Sequence, residues 1–413
     1  MFAAQRRMYL AAFLVDAAVM VAMTATPFFV FNQLGGGAAM SGLFGAVSAA
    51  GYACMCLVSS RFVSRAKHGL RWAYFGLTVY TVLICLMPVF RRPVVCGALA
   101  GGANVGMAFV WPALHSWIGA ETDLARRGRR MARFNVAWSF GFAVSALCAG
   151  PLYDLDYRYP FVLLFALSAA ALALLWSLPR EVDHFGEATE EMLLARADHD
   201  RASEVHLYAA WFANMLAMAL AAATRTVYPK RIDELVATDQ LRLLFESEPA
   251  RVLTAGTATK YSWLAFALAG SCALMFLLLG HTRGWQHRFR YLVWTQAASG
   301  LAFWALANTT SLVVMLACFA VVGANNGLAF FAAVYYSLAD PARKHRRAAV
   351  NEAAVGVGAF SGSVAFGLLA KRYGLGMPFR YAPLLIAAAL AIQFLLLRYG
   401  AQRQRRDARP QAP

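Results

Sequence analysis

The sequence predicts an all-α integral membrane protein with 12 transmembrane helices, built as two parallel six-helix bundles with both the N- and C-termini cytoplasmic. Three observations carry that prediction. Hydrophobic residues make up 60% of the 413 residues and charged ones 14%, against roughly a quarter charged in a soluble domain. The apolar residues gather into twelve stretches, each near the ~17–25 residues that a spanning helix needs. An octet, Gly102-Ala103-Asn104-Val105-Gly106-Met107-Ala108-Phe109, returns 221 residues later as Gly323-Ala324-Asn325-Asn326-Gly327-Leu328-Ala329-Phe330, identical at six of eight places.

In chain order the first six stretches are Tyr9 to Phe31, Leu43 to Ser59, Trp72 to Phe90, Val94 to Ile118, Phe134 to Gly150 and Phe161 to Leu178. The second six are Leu207 to Tyr228, Tyr261 to Gly280, Tyr291 to Ala307, Leu312 to Leu338, Ala348 to Ala370 and Tyr381 to Leu397. Only a helix satisfies every backbone amide inside a lipid-exposed segment, so each stretch is a helix. The first is not a cleaved signal peptide: it outruns the usual ~7–15-residue apolar core and carries Asp16. The seven cysteines (54, 56, 85, 96, 148, 272 and 318) all fall in these stretches with no metal or redox spacing, so they read as small packing residues.

The net charge of +17 is distributed by side. With the N-terminus inside, the inner segments hold 26 Lys and Arg, the outer ones 11, and Arg225 lies within the seventh stretch, completing the 38. This excess follows the positive-inside rule and predicts a multi-pass protein of the plasma (inner) membrane. It argues against a nucleic-acid partner. The basic tail with Arg403, Arg405, Arg406 and Arg409 reads as a contact with anionic lipid.

Two further matches support duplication. Asp16, followed by Met20, pairs with Asn214, followed by Met218; Arg129-Arg130 and Asn135 pair with Arg346-Arg347 and Asn351. Loop lengths absorb the differences in shift. Each half has an even number of spans, so the copies run parallel about an axis along the membrane normal. The boundaries are 1–178 for the first bundle, 179–204 for an acidic cytoplasmic linker with a surface helix around Glu187 to Ala197, 205–397 for the second bundle, and 398–413 for the basic tail. The outer loop 229–260 spaces Leu235, Leu241, Leu244 and Phe245 at helical intervals, fitting either a surface helix or a cap over the outer mouth.

With these features the chain resembles the major facilitator superfamily (MFS) of secondary transporters over essentially its whole length. The six-plus-six spans, the cytoplasmic linker, the basic loops after spans two and eight, and the run Arg129 to Gly150 carry the resemblance. The superfamily's signature after span two survives as Arg65, Gly69 and Arg71, with Ser64 where an aspartate belongs. The embedded span-four arginine of proton-coupled drug antiporters is missing, and their span-five signature is reduced to Gly141 and Gly150-Pro151.

The resemblance implies that spans one, four, seven and ten border a central cavity. Their polar residues share a spacing of 0, 4, 7, 11, one helical stripe. Span four gives Asn104, Ala108, Trp111 and His115; span ten gives Asn325, Ala329, Ala332 and Tyr336; span one gives Asp16, Met20, Met23 and Pro27; span seven gives Asn214, Met218, Ala221 and Arg225. Amides for orientation and aromatic faces for area suit an organic solute. We therefore take Asn104, Trp111, Asn325, Tyr336, Asn214, Met20, Met218 and Arg225 as substrate-contact candidates, with helix clamping and packing as the competing roles. An ionised aspartate at the depth of Asp16 costs roughly 2.5–3.5 kcal/mol, so Asp16 is either a proton carrier, a ligand for a cation or half of a structural ion pair. His115 is the second proton-coupling candidate, against a histidine bonded to a carbonyl. At the cytoplasmic end Arg65, Arg130, Asn135, Asn351 and Glu352 form a candidate gate, with helix-terminus stabilisation as the alternative for Glu352.

Function follows from what is present and what is not. No His-Glu-x-x-His, Cys/His cluster, Gly-x-Ser-x-Gly or phosphate loop occurs, so an enzyme is not expected, and neither a cofactor nor a metal site. The expected activity is secondary active transport of a small organic solute by alternating access, coupled to protons at a midplane site, in a protein working as a monomer in the lipid bilayer. The alternative is a non-transporting protein of the same fold acting as a sensor or assembly partner.

Overall fold

The computed structural model describes residues 2–65, 69–118, 124–178, 190–244, 255–339 and 344–407. These residues are helical throughout, apart from short connections and an isolated bridge between Arg242 and Ser311. The helices are α1 (Phe2–Asn32), α2 (Ala38–Arg65), α3 (Gly69–Leu86), α4 (Pro93–Ile118), α5 (Leu124–Leu155), α6 (Tyr159–Trp176), α7 (Glu190–Thr226), α8 (Tyr228–Ala237), α9 (Thr257–His281), α10 (Arg290–Asn308), α11 (Leu312–Ser337), α12 (Lys344–Tyr373) and α13 (Met377–Asp407).

Eleven of them are long and apolar enough to cross a membrane. Of the twelve stretches read from the sequence, α10 is the one outside this set. Thr295, Gln296 and Ser299 interrupt its apolar surface. The structure shows how such a helix is tolerated among lipid-facing neighbours. Gln296 and Gln393 of α13, both fully buried, exchange two amide hydrogen bonds of 2.9 and 2.7 Å. Each amide supplies what water would otherwise supply.

Several helices run past the apolar stretches because their basic ends continue the helical backbone at the membrane surface. The acidic linker does the same: from Glu190 it is continuous with α7, while residues 179–189 lie outside the described residues, as does part of the expected helix around Glu187 to Ala197. Arg347 of α12 donates to Glu204 on this extension at 2.9 Å. The tail beyond Asp407 also lies outside the described residues.

The outer loop contains α8, whose buried face is Tyr228, Pro229, Ile232 and Leu235. It packs against α1, α7 and α9, and so touches helices of both halves. Arg231 donates to the Ala307 carbonyl at 2.8 Å and the Lys230 ammonium lies 5.4 Å from the Phe31 ring centre. Leu241 is buried and Leu244 exposed; Phe245 lies outside the described residues.

Within the first half α1 packs on α5 and α6, and α4 on α2 and α3. Within the second, α7 packs on α12, α11 and α13. A Cβ on Gly141 would sit 2.2 Å from the Phe13 carbonyl oxygen, and one on Gly358 would sit 2.1 Å from that of Met215. The α1–α5 and α7–α12 pairs therefore approach backbone to backbone in both halves, as small residues permit in membranes. Two seams join the halves, α5 on α9 and α2 on α12. At the outer end of the first seam, Asp154 accepts from the Thr259 backbone N–H (2.9 Å) and hydroxyl (2.5 Å).

The glutamine pair generates a test. Gln296→Leu leaves the Gln393 amide unpaired and should lower stability by roughly 0.6–1.7 kcal/mol. The double change to leucine should recover most of the loss. Thermal unfolding in detergent reads both.

Candidate functional site

A cavity of about 310 Å³ opens between the halves, within the size range of small-molecule sites. Asp16, Met23 and Pro27 of α1 line it, with Asn104, Trp111 and His115 of α4 and Met218 and Arg225 of α7. From α11 come Asn326 and Phe330. Its walls also include Tyr52 of α2, Trp138 and Phe142 of α5, Cys272 and Phe276 of α9, and Glu352 of α12. The α5–α9 and α2–α12 seams thus form walls as well as joints.

Aromatic rings bridge the halves across it. Trp138 meets Phe276 edge-on at 5.2 Å and Phe330 at 5.6 Å, with Trp111 at 6.5 Å on its own side. Such edge-to-face pairs contribute about 0.5–1.5 kcal/mol beyond area burial. They also give the cavity flat apolar faces.

Its charged groups are of two kinds. Glu352 is bonded across the α2–α12 seam: the Tyr52 hydroxyl donates to its Oε2 at 2.6 Å, and His115 Nδ1 lies 3.9 Å from its Oε1. Asp16 is different. Its side chain is buried, yet Oδ2 has no hydrogen-bond partner among the described residues. Arg225 likewise makes no hydrogen bond or ion pair among them; its guanidinium carbon lies 5.2 Å over the Phe142 ring. No salt bridge joins Asp16 to Arg225 among the described residues, although both line the cavity.

The repeat explains why Asp16 is unbonded. Its partner in the sequence match, Asn214, donates to Asn351 at 3.1 Å, and both are buried. That amide pair clamps α7 to α12. In the first half the matching residues are Asp16 and Asn135, and they do not bond. Asn135 accepts from the Trp138 indole at 3.0 Å through Oδ1, while its Nδ2 is unpartnered. The clamp is open in the half that carries the carboxylate.

The remaining candidates are placed as follows. Asn214 and Asn351 are occupied by each other, away from the cavity. Met20 of α1 is buried in the core and does not line the cavity, although Met23 one turn on does. Tyr336 lies at the end of α11, where its hydroxyl accepts the His287 backbone N–H at 2.8 Å beside the His206 ring. Asn325 is buried outside the cavity with neither amide atom bonded, and its neighbour Asn326 lines the wall. Arg130, with the Gln5 amide oriented to accept, donates to it at 2.7 Å, joining α1 to α5 within one half. The Arg65 side chain lies outside the described residues. The structure therefore brings Asp16, Asn104, Trp111, His115, Met218, Arg225 and Glu352 together, and not the others. Among the described residues no group of three or more His, Cys, Asp or Glu could hold a metal ion.

The difference at α11 has a physical cause in the helix repeat. The octet match sets Asn104 against Asn325, but the walls set it against Asn326, one residue and about 100° further round the helix. The glycines agree. A Cβ on Gly106 would meet the Gly76 carbonyl of α3, whereas one on its counterpart Gly327 would meet the Cys272 carbonyl of α9, so the octets face different neighbours. Tyr52, Trp138 and Phe142 lay outside the four stripes, on helices of the seams. The Asn325-Asn326 doublet and the one-turn spacing of Trp138 and Phe142 were the available signals.

The comparisons with known proteins agree with this architecture. The Major Facilitator Superfamily model matches residues 8–233. A crystal structure of the nucleoside transporter NupG superposes with a TM-score of 0.70 at 11% identity, covering 96% of this chain and 99% of that one. A structure of a POT family transporter in complex with a thioalcohol-conjugated peptide gives 0.70 at 13% identity, covering 96% of each chain. The human organic anion transporter MFSD10 (TETRAN) gives 0.65 at 12% identity, covering 95% of this chain and 99% of that one. No curated protein matches the sequence significantly. The family match covers more than half of the chain and the likeness in fold nearly all of it: the chain belongs to the Major Facilitator Superfamily of membrane transporters.

Proposed function

We propose that this protein is a proton-coupled secondary transporter that moves a small organic solute by alternating access. Residues 1–178 and 205–397 are the rocking bundles, with α1–α7 and α9–α13 as twelve spans. The 179–204 linker, the 398–413 tail and both termini lie on the cytoplasmic side of the plasma (inner) membrane, and one chain is the working unit. The positive-inside count of 26 against 11 supports this orientation.

The observation that carries the reading is the unbonded Asp16 carboxylate on the wall of an interbundle cavity. A buried carboxylate without a partner is unfavourable unless it is used. Where the fold needs only an amide, as at Asn214, an aspartate adds a proton site. Asn104, Trp111, Met218 and Arg225 contact the solute, and His115 stands beside Glu352 at the inner end.

Alternating access requires that each seam part in turn. In this reading the Tyr52–Glu352 bond is an inner tie and the Asp154–Thr259 bonds an outer one. The gate role of Glu352 thus runs through Tyr52 and His115, while Arg130 and Asn351 support it by fixing α5 and α12 within their own bundles; Asn135, bonded within α5, gives no such support.

Two outcomes are expected. In sealed vesicles, Asp16→Asn abolishes solute accumulation driven by a proton gradient but retains solute exchange; coupling equal to wild type removes Asp16 from this role. For the inner tie, Tyr52→Phe costs about 1–3 kcal/mol by leaving a buried carboxylate short of a donor. A Tyr52→Phe/Glu352→Gln double-mutant cycle on thermal unfolding should show non-additivity, and strict additivity would rule the tie out.

A further inference from the structure

The cavity wall carries a cationic donor with no acceptor among the described residues. Arg225 presents its guanidinium to the chamber, and Asp16, which lines the same chamber, is unbonded among them as well. The other acid on the wall, Glu352, already has its donor in Tyr52. Much of the surface around Arg225 is aromatic or aliphatic, with Phe142 beneath it and Trp138 and Phe330 further along. A fork of N–H donors above an apolar face matches a carboxylate or sulfonate on a hydrophobic body.

From this geometry we infer that the transported solute is an amphipathic organic anion whose acidic group is held by Arg225, and that it enters together with the proton taken by Asp16. This inference rests on the transport reading of the cavity given above. The coupling follows from charge balance in a medium of low dielectric. In this scheme the empty chamber sets the Arg225 cation against an ionised Asp16, with Glu352 held apart by the Tyr52 hydroxyl. An anion that pairs with Arg225 displaces that role, and with Asp16 still ionised the chamber would carry an uncompensated negative charge, which burial makes costly. A proton delivered to the Asp16 carboxylate restores neutrality; it leaves as the anion leaves. Anion and proton therefore bind cooperatively, each raising the other's affinity by the same factor.

Tyr80 of α3 and Cys272 of α9 feel the charge of Asp16 along with Arg225. Tyr52, His115 and Glu352 form their own bonded set. Only Arg225 among these brings a fixed positive charge that an entering anion could satisfy.

Isothermal titration of the purified protein with benzenesulfonate tests the inference, because this probe stays ionised from pH 5 to 8. Buffers of different ionisation enthalpy count the protons. The expected result is binding that tightens several-fold or more between pH 8 and pH 5, within the ~5–150-fold span typical of coupled sites, accompanied by proton uptake. The neutral benzenesulfonamide and the cationic benzylamine should bind at least tenfold more weakly. Arg225→Gln should lose benzenesulfonate binding, and the charge-retaining Arg225→Lys should keep part of it. Asp16→Asn should bind the sulfonate at least as tightly at pH 8, with neither pH dependence nor proton uptake. Benzylamine binding better than the sulfonate, undiminished binding by Arg225→Gln, binding without proton uptake, or no sulfonate binding at all would each overturn the inference. Anion binding as described with no flux in vesicles would instead uphold the anion site and sink the transport reading.

Discussion

Inside a bilayer a polar side chain has no water to fall back on, so it must find its partner within the protein. That single constraint organises the molecule. Gln296 and Gln393 exchange amides, Asn214 gives its amide to Asn351, and Tyr52 caps Glu352. Each bond joins two helices, so satisfying the polar group and fixing the bundle are one act. The Tyr52–Glu352 bond and the Asp154–Thr259 bonds do this across the seams between halves, where a bond is also a restraint on motion.

Against that background the unbonded groups carry information. Asp16 and Arg225 are ionisable, line the same cavity from α1 and α7 and have no hydrogen-bonded partner among the described residues. Held permanently together they would have made an ordinary internal ion pair. Apart, they leave room for something between them, and the cost of leaving both unbonded falls on the empty state. A transporter has use for this arrangement, since an empty carrier that is too stable will not reload.

How much of this was legible in the sequence depends on what each signal measures. Hydropathy and basic-loop placement report on the bilayer, so the spans could be read directly. The exception, α10, is less apolar because it buries a glutamine that is satisfied by a residue 97 positions away, a contact that periodicity cannot see. The open cavity was half legible. Asp16, Asn104, Trp111, His115, Met218 and Arg225 follow from one-face spacing, but Asn325 against Asn326 turns on a single residue. Identity along the chain favours one register and rotation about α11 the other; the match of small residues in the octets is a packing signal, and the two octets pack on different neighbours. Glu352 was visible only as an acid near a helix start, because its donor, Tyr52, lies 300 residues away on another bundle.

The departure from symmetry is then the informative part of a symmetric fold. The matched positions put a contact between the first and fifth helices of each half to different uses. The second half keeps it as Asn214–Asn351, which rigidifies α7 against α12. The first half exchanges the amide for Asp16, gives Asn135 to the Trp138 indole and so frees a carboxylate to face the chamber. A fixed clamp and an unclamped acid at matched positions make the two bundles unequal: one is a rigid frame, and the other carries the group whose charge can change. Protonation of Asp16 would then alter the charge of the cavity without breaking any bond that holds a bundle together. In the proposed mechanism that separation lets a proton bias the seams while the helices within each half stay packed.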